Sequence, residues 1–107
     1  MAEYFNITGT SSAAAELTRE LLAPGENVKV SSISLTNVEG TNNCTVDLYI
    51  EKKGKGKFYL LKGVELIIGA TLIHDDVSFD NSRGQFGLYI KLTKSASETP
   101  NVDVIIK

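Results

Sequence analysis

The chain has 107 residues, a formal net charge of −2 and 42% hydrophobic against 22% charged residues. That length suits one domain with its own core, and the balanced charge excludes a surface built to hold nucleic acid along its whole length. Cys44 is the only cysteine, which excludes an internal disulfide, and no apolar run approaches the roughly 20 residues of a membrane-spanning helix.

The start, MAEYFNITG, has neither a basic n-region nor an apolar h-region. No secretory leader is read, and the product is expected in the cytosol. The triplets Asn6-Ile7-Thr8 and Asn43-Cys44-Thr45 then stand as turn or strand-edge chemistry rather than glycan acceptors. Glu3 to Thr8 is rich in β-formers, so residues 1–11 form an N-terminal arm or an edge strand ahead of a domain over 12–107. Residues 12–22 (SAAAELTRELL) fit both a helix, by propensity and a serine cap, and a half-buried strand, by alternation. The Pro-Gly turn at 24–25 and the β-rich surroundings favour the strand.

Val28 and Val30 share one parity, whereas Ile33 and Leu35 have the other, which predicts a β-bulge at Ser31-Ser32. After a polar loop, Cys44, Val46, Leu48 and Ile50 alternate with Thr45, Asp47, Tyr49 and Glu51 as a half-buried strand. The basic KKGKGK turn joins it to Phe58-Tyr59-Leu60-Leu61 as a hairpin. Short elements follow at 64–67, 71–73 and 77–79, then a turn over 80–84. In the strand from Gln85 to Thr93, Phe86, Leu88, Ile90 and Leu92 face inward, and a last strand covers 102–106. Core positions in the second half include Phe58, Leu66, Phe79, Leu88 and Ile90. The sum is an all-β fold: a single antiparallel β-sandwich or jelly roll of about eight strands, with an N-terminal arm if residues 1–11 extend away.

No catalytic constellation emerges. Cys44 lies on the apolar face of its strand, where a thiol is inert, and His74 has no nucleophile beside it. His74, Asp75 and Asp76, with Asp80 and Asn81, offer oxygen ligands on turns, but the spacing matches no calcium or zinc pattern, and acidic turn residues are ordinary solvated chemistry. No metal or cofactor is expected. The GKGK tip lacks the spacing of a phosphate-binding loop. Its residues Lys52, Lys53, Lys55 and Lys57 are expected to touch an acidic protein surface or simply to keep the turn soluble.

The run TVDLYIEKKGKGKFYLLKGVELIIGATLIHDD, then VSFDNSRGQFGLYIKL and the terminal VDVIIK, resembles small all-β virion structural proteins of tailed bacteriophages, particularly of marine and cyanobacterial phages. The likeness covers Pro24 to Lys107. It implies a non-enzymatic structural protein of the virion, assembled in the host cytoplasm and not secreted: a capsid decoration protein or a neck, tail or fibre component. It implies contacts with capsid or tail proteins and with itself as a homo-oligomer, of which a trimer is one form, and no nucleic-acid or membrane partner. Tyr4 and Phe5 of the arm and the four tip lysines would make those contacts. The alternative function is a carbohydrate- or receptor-binding module. Tyr49, Tyr59 and Tyr89 share the outward parity such a face would use, and His74, Asp75 and Asp76 could anchor hydroxyls.

Overall fold

The computed structural model describes residues 3–8, 16–24, 29–38, 43–52, 54–75, 77, 79–80, 86–93 and 100–107. Among the described residues ten strands follow one another: β1 (Glu3–Thr8), β2 (Glu16–Leu22), β3 (Lys29–Val30), β4 (Ile33–Asn37), β5 (Cys44–Lys52), β6 (Gly56–Leu66), β7 (Thr71–His74), β8 (Phe79–Asp80), β9 (Gly87–Thr93) and β10 (Asn101–Ile106). Their antiparallel pairs nest: β1 with β10, β2 with β9, β3 with β8, β4 with β7, and β5 with β6. The chain is therefore one long two-stranded ribbon, doubled back at the β5–β6 hairpin and rolled up. Rolling sets β10 beside β4 and β9 beside β5. Two four-stranded sheets result, ordered β1-β10-β4-β7 and β2-β9-β5-β6, with β3-β8 as a short extra ribbon. This is a jelly roll.

Period-two alternation builds the core. Ile33 and Leu35 of β4 and Val102, Val104 and Ile106 of β10 face Val46 and Leu48 of β5 and Leu88, Ile90 and Leu92 of β9, all essentially without solvent contact. Each such side chain contributes about 1.5–3 kcal/mol by leaving water. Among the described residues two polar side chains are buried, Asp47 on an outer face and Asn37 at the end of β4. Asn37 Nδ2 donates to the Leu66 carbonyl (3.0 Å) and its own carbonyl accepts from Gly69 N–H (2.9 Å), which ties the end of β4 to the β6–β7 turn. Gly69, at φ +74°, takes the left-handed conformation that turn requires.

Two sequence expectations resolve in instructive ways. The ambiguous stretch is a strand from Glu16 onward, because β9 offers it a ladder from Glu16 opposite Thr93 to Glu20 opposite Tyr89, which a helix would leave empty; residues 12–15 lie outside the described residues. A register shift between Glu20 and Leu22 lets both Leu21 and Leu22 be buried. At Ser31-Ser32 there is no bulge within one strand but a break between two. Val30 pairs with Phe79 in one ladder and Ile33 with His74 in another, so opposite parities both point inward. The serine N–H groups donate to the Lys107 carbonyl at 2.7 and 3.1 Å.

One position departs from expectation. Phe58 is not core: it has inward parity opposite Ile50 but is 52% exposed near the tip of the hairpin, resting edge-on against Phe86 with ring centroids 6.0 Å apart. Of the two readings offered for the N-terminus, Glu3–Thr8 takes the edge strand and not the extended arm. It lies in its sheet along the full length of β10, with Ile7 completely buried.

Candidate functional site: the outer face of the β2-β9-β5-β6 sheet

The outward residues of this sheet are not a solvated row. Register places Glu20, Tyr89, Tyr49 and Tyr59 directly opposite one another across β2, β9, β5 and β6. Neighbouring positions on one face of antiparallel strands lie about 4.5–5.5 Å apart, so the rings must touch. Tyr49 stacks on Tyr89 (centroids 5.5 Å, planes 18° apart) and leans on Tyr59 (5.4 Å, 51°). The Tyr89 hydroxyl donates to Glu20 Oε2 at 3.2 Å. Lysine ammonium groups sit over two rings, Lys57 4.8 Å from the Tyr49 centroid and Lys62 4.5 Å from that of Tyr59. Tyr49, so enclosed, is only 4% exposed, while Tyr59 at the edge is 41% exposed.

Beside the row, Asp47 organises a bulge. β6 sets two residues, Lys62 and Gly63, against the single Asp47, and Gly63 takes φ +63° to do so. Asp47 Oδ1 accepts the Gly63 N–H at 2.6 Å. Its Oδ2 faces Lys62 Nζ at 3.6 Å and Lys91 Nζ at 3.5 Å, the latter from the residue directly opposite on β9. Burial alone would raise the Asp47 pKa. The Gly63 N–H, then the two lysine charges, outweigh it and hold the carboxyl below its ordinary value. Burial pushes both the Tyr49 and Tyr89 hydroxyls above theirs. Glu51 adds to this at Tyr49 while Lys57 opposes it, and the bond to Glu20 adds to it at Tyr89.

Gly87 completes the face. The Tyr89 ring lies back over it, so that a Cβ at position 87 would come within 2.9 Å of the ring and its hydroxyl. Gly87→Ala is expected to swing the Tyr89 ring off Gly87 and away from Tyr49, with less than about 1 kcal/mol lost, because the obstacle is the free end of a side chain. Near-ultraviolet circular dichroism, dominated by tyrosine in a chain without tryptophan, checks this: its amplitude should fall while the far-ultraviolet sheet signal holds.

The residues singled out in the sequence fall in different places. Tyr49, Tyr59 and Tyr89 do come together. His74 and Asp75, offered as their polar partners, do not join them: β7 belongs to the other sheet, and His74 has the inward parity of Ile33. Asp76 and Asn81 lie outside the described residues, and among those described no three His, Cys, Asp or Glu side chains gather to hold a metal ion. Tyr4 and Phe5 also sit in the other sheet, the first 72% exposed and the second packed against the core. Of the tip lysines, Lys55 is exposed in the turn and Lys53 lies outside the described residues. Lys57 folds over Tyr49, and Lys52 Nζ lies 5.9 Å from the Phe86 centroid. Asp47, Lys62, Lys91 and Gly87 carried no signal of their own, since their roles exist only once the strands are in register.

No family model and no curated protein matches the chain. Among solved structures it is similar to PirA, at 9% identity and a TM-score of 0.58 over 96% of this chain and 91% of that one. It is also similar to the Yersinia pseudotuberculosis-derived mitogen, at 15% identity and 0.56 over 100% of this chain and 85% of that one. At such identities the likeness establishes the fold. It also corrects the functional expectation: these whole-chain fold neighbours are not phage virion proteins, so a virion structural role does not stand. The resemblance behind that expectation was an order of strands and turns, which any small jelly roll reproduces, with no residue of specific chemistry in it.

Proposed function

We propose that the chain is a non-enzymatic carbohydrate-binding jelly roll whose tyrosine row receives the glycan. The observation that carries this is the continuous row Glu20–Tyr89–Tyr49–Tyr59 on rigid, register-locked strands, edged by lysine donors. Sugar rings bind by laying their C–H faces on aromatic rings while their hydroxyls meet charged and amide groups. Tyrosine supplies a flat apolar body with a polar tip. The ammonium groups over the rings do not block this. An exposed cation–π contact is worth about 0.5–1 kcal/mol, so Lys62 swings aside at small cost and its ammonium becomes a donor to a hydroxyl. Strand-borne side chains hold their geometry better than loop-borne ones, so little ordering entropy is lost on binding. The fold neighbours add nothing to the choice of ligand, because fold does not carry function.

A glycan array tests this. The chain is expected to bind a defined set of glycans, and Tyr59→Ala to weaken that binding by about tenfold or more with the sheet signal intact, since each tenfold is about 1.4 kcal/mol. A chelator should leave binding unchanged. Silence across the array would count against the proposal.

A further inference from the structure

The two sheets have four edges, and three are visibly protected against pairing with another chain. β7 has only four residues. β6 carries Lys57 and Lys62, two positive-φ glycines and two register shifts. β2 carries Arg19 and Glu20 on either side of its ladder and a register shift before Leu22. Short strands, lysines and bulges are the devices by which proteins blunt sheet edges. β1 has none of them. It is six residues long, runs against β10 without a single irregularity, and contains no proline, glycine, lysine or bulge. Among the described residues it pairs with β10 alone, so on its outer side every second residue presents an N–H and a C=O at strand spacing.

We infer that β1 pairs antiparallel with β1 of a second copy, making one continuous eight-stranded sheet across a two-fold axis at Asn6. A second strand matches a row of backbone groups at that spacing, and an identical strand meets it isologously. Side chains fix the register. Centring the pair on Phe5 would set the Glu3 carboxylate opposite the fully buried Ile7, on the core side. Centring it on Asn6 instead sets Phe5 opposite Ile7 on the core side, apolar against apolar. On the outer side it sets Tyr4 opposite Thr8 and Asn6 opposite its own copy, and Glu3 clears the seam at both ends.

The exposed Tyr4 then gains a neighbour, and the groove of about 360 Å³ that Tyr4 and Asn6 line with Asp103 and Ile105 lies over the β1–β10 ladder, one strand in from the seam. The inference is independent of the tyrosine row, which lies on the other sheet. It has a consequence for it: a two-fold axis normal to the joined sheet points both tyrosine faces to the same side, the geometry for bivalent binding.

The test combines sedimentation with cross-linking in a Cys44→Ser background. The parent chain is expected to sediment as a dimer. Asn6→Lys, which puts like charges face to face on the axis, should raise the dimer dissociation constant at least tenfold while the sheet signal remains. Asn6→Cys should form an intermolecular disulfide under mild oxidation, since directly opposed residues meet the separation a disulfide needs, whereas Arg19→Cys on the β2 edge should not. A parent chain that stays monomeric to millimolar concentration would overturn the inference. So would a dimer that Asn6→Lys leaves intact and Asn6→Cys fails to cross-link.

Discussion

Asp47→Ala is expected to lower the unfolding free energy by about 2 kcal/mol, read as a shift of the urea midpoint with the slope unchanged. Three interactions end at this carboxylate, and they are not equal. Lys62 is 63% exposed on its side chain, so its ion pair is screened by solvent and contributes under about 1 kcal/mol. Lys91 is 24% exposed and loses more. The largest loss is the Gly63 N–H, which is left without its acceptor in a bulge that has no ladder partner to offer instead. Asp47→Asn keeps an acceptor and should cost less.

The pH dependence follows from the sign of the shift. The folded pKa of Asp47 lies below its ordinary 3.8, so the stabilisation is complete above that value and disappears as pH falls through the folded value beneath it. The stability gap between the parent chain and Asp47→Asn should therefore be constant at neutral pH and close in strong acid. A gap that widened in acid would contradict the assigned ion pairs.

Tyr49→Ala is the second large effect, at about 3 kcal/mol, because Tyr49 is the enclosed middle ring of the row and its loss opens a cavity between Tyr59 and Tyr89. Glycan binding should go with it. Tyr49→Phe keeps the ring and should cost under about 1 kcal/mol. Urea unfolding of the two variants separates packing from hydroxyl chemistry: equal losses would mean that the hydroxyl, not the ring, does the holding.

Much of this was legible in the sequence where alternation was clean. β5, β9 and β10 show their buried faces as Val46 and Leu48, Leu88 to Leu92, and Val102 to Ile106, and the outward parity of the three tyrosines could be read directly. What could not be read was pairing. Whether Tyr49 meets Tyr59 depends on the extra residue Leu60, and whether Asp47 is solvated or buried depends on the Lys62-Gly63 bulge. Phe58 misled because parity gives a direction, while burial requires something on the other side to cover the ring. Ser31-Ser32 misled because a parity change signals either a bulge or a handover between ladders, and local residues cannot distinguish them. His74 attracted attention as the only histidine, yet it belongs to the sheet away from the tyrosines.

Amide chemical-shift mapping by NMR, with a glycan selected on the array, tests the tyrosine face most directly. The expected result is a set of shifts confined to Lys57, Tyr59, Lys62, Tyr89 and their strand neighbours, lost in Tyr59→Ala. Shifts gathered instead around Tyr4, Ile73 and Ile105 on the opposite sheet, or shifts at the tyrosines that persist unchanged in Tyr59→Ala, would contradict it.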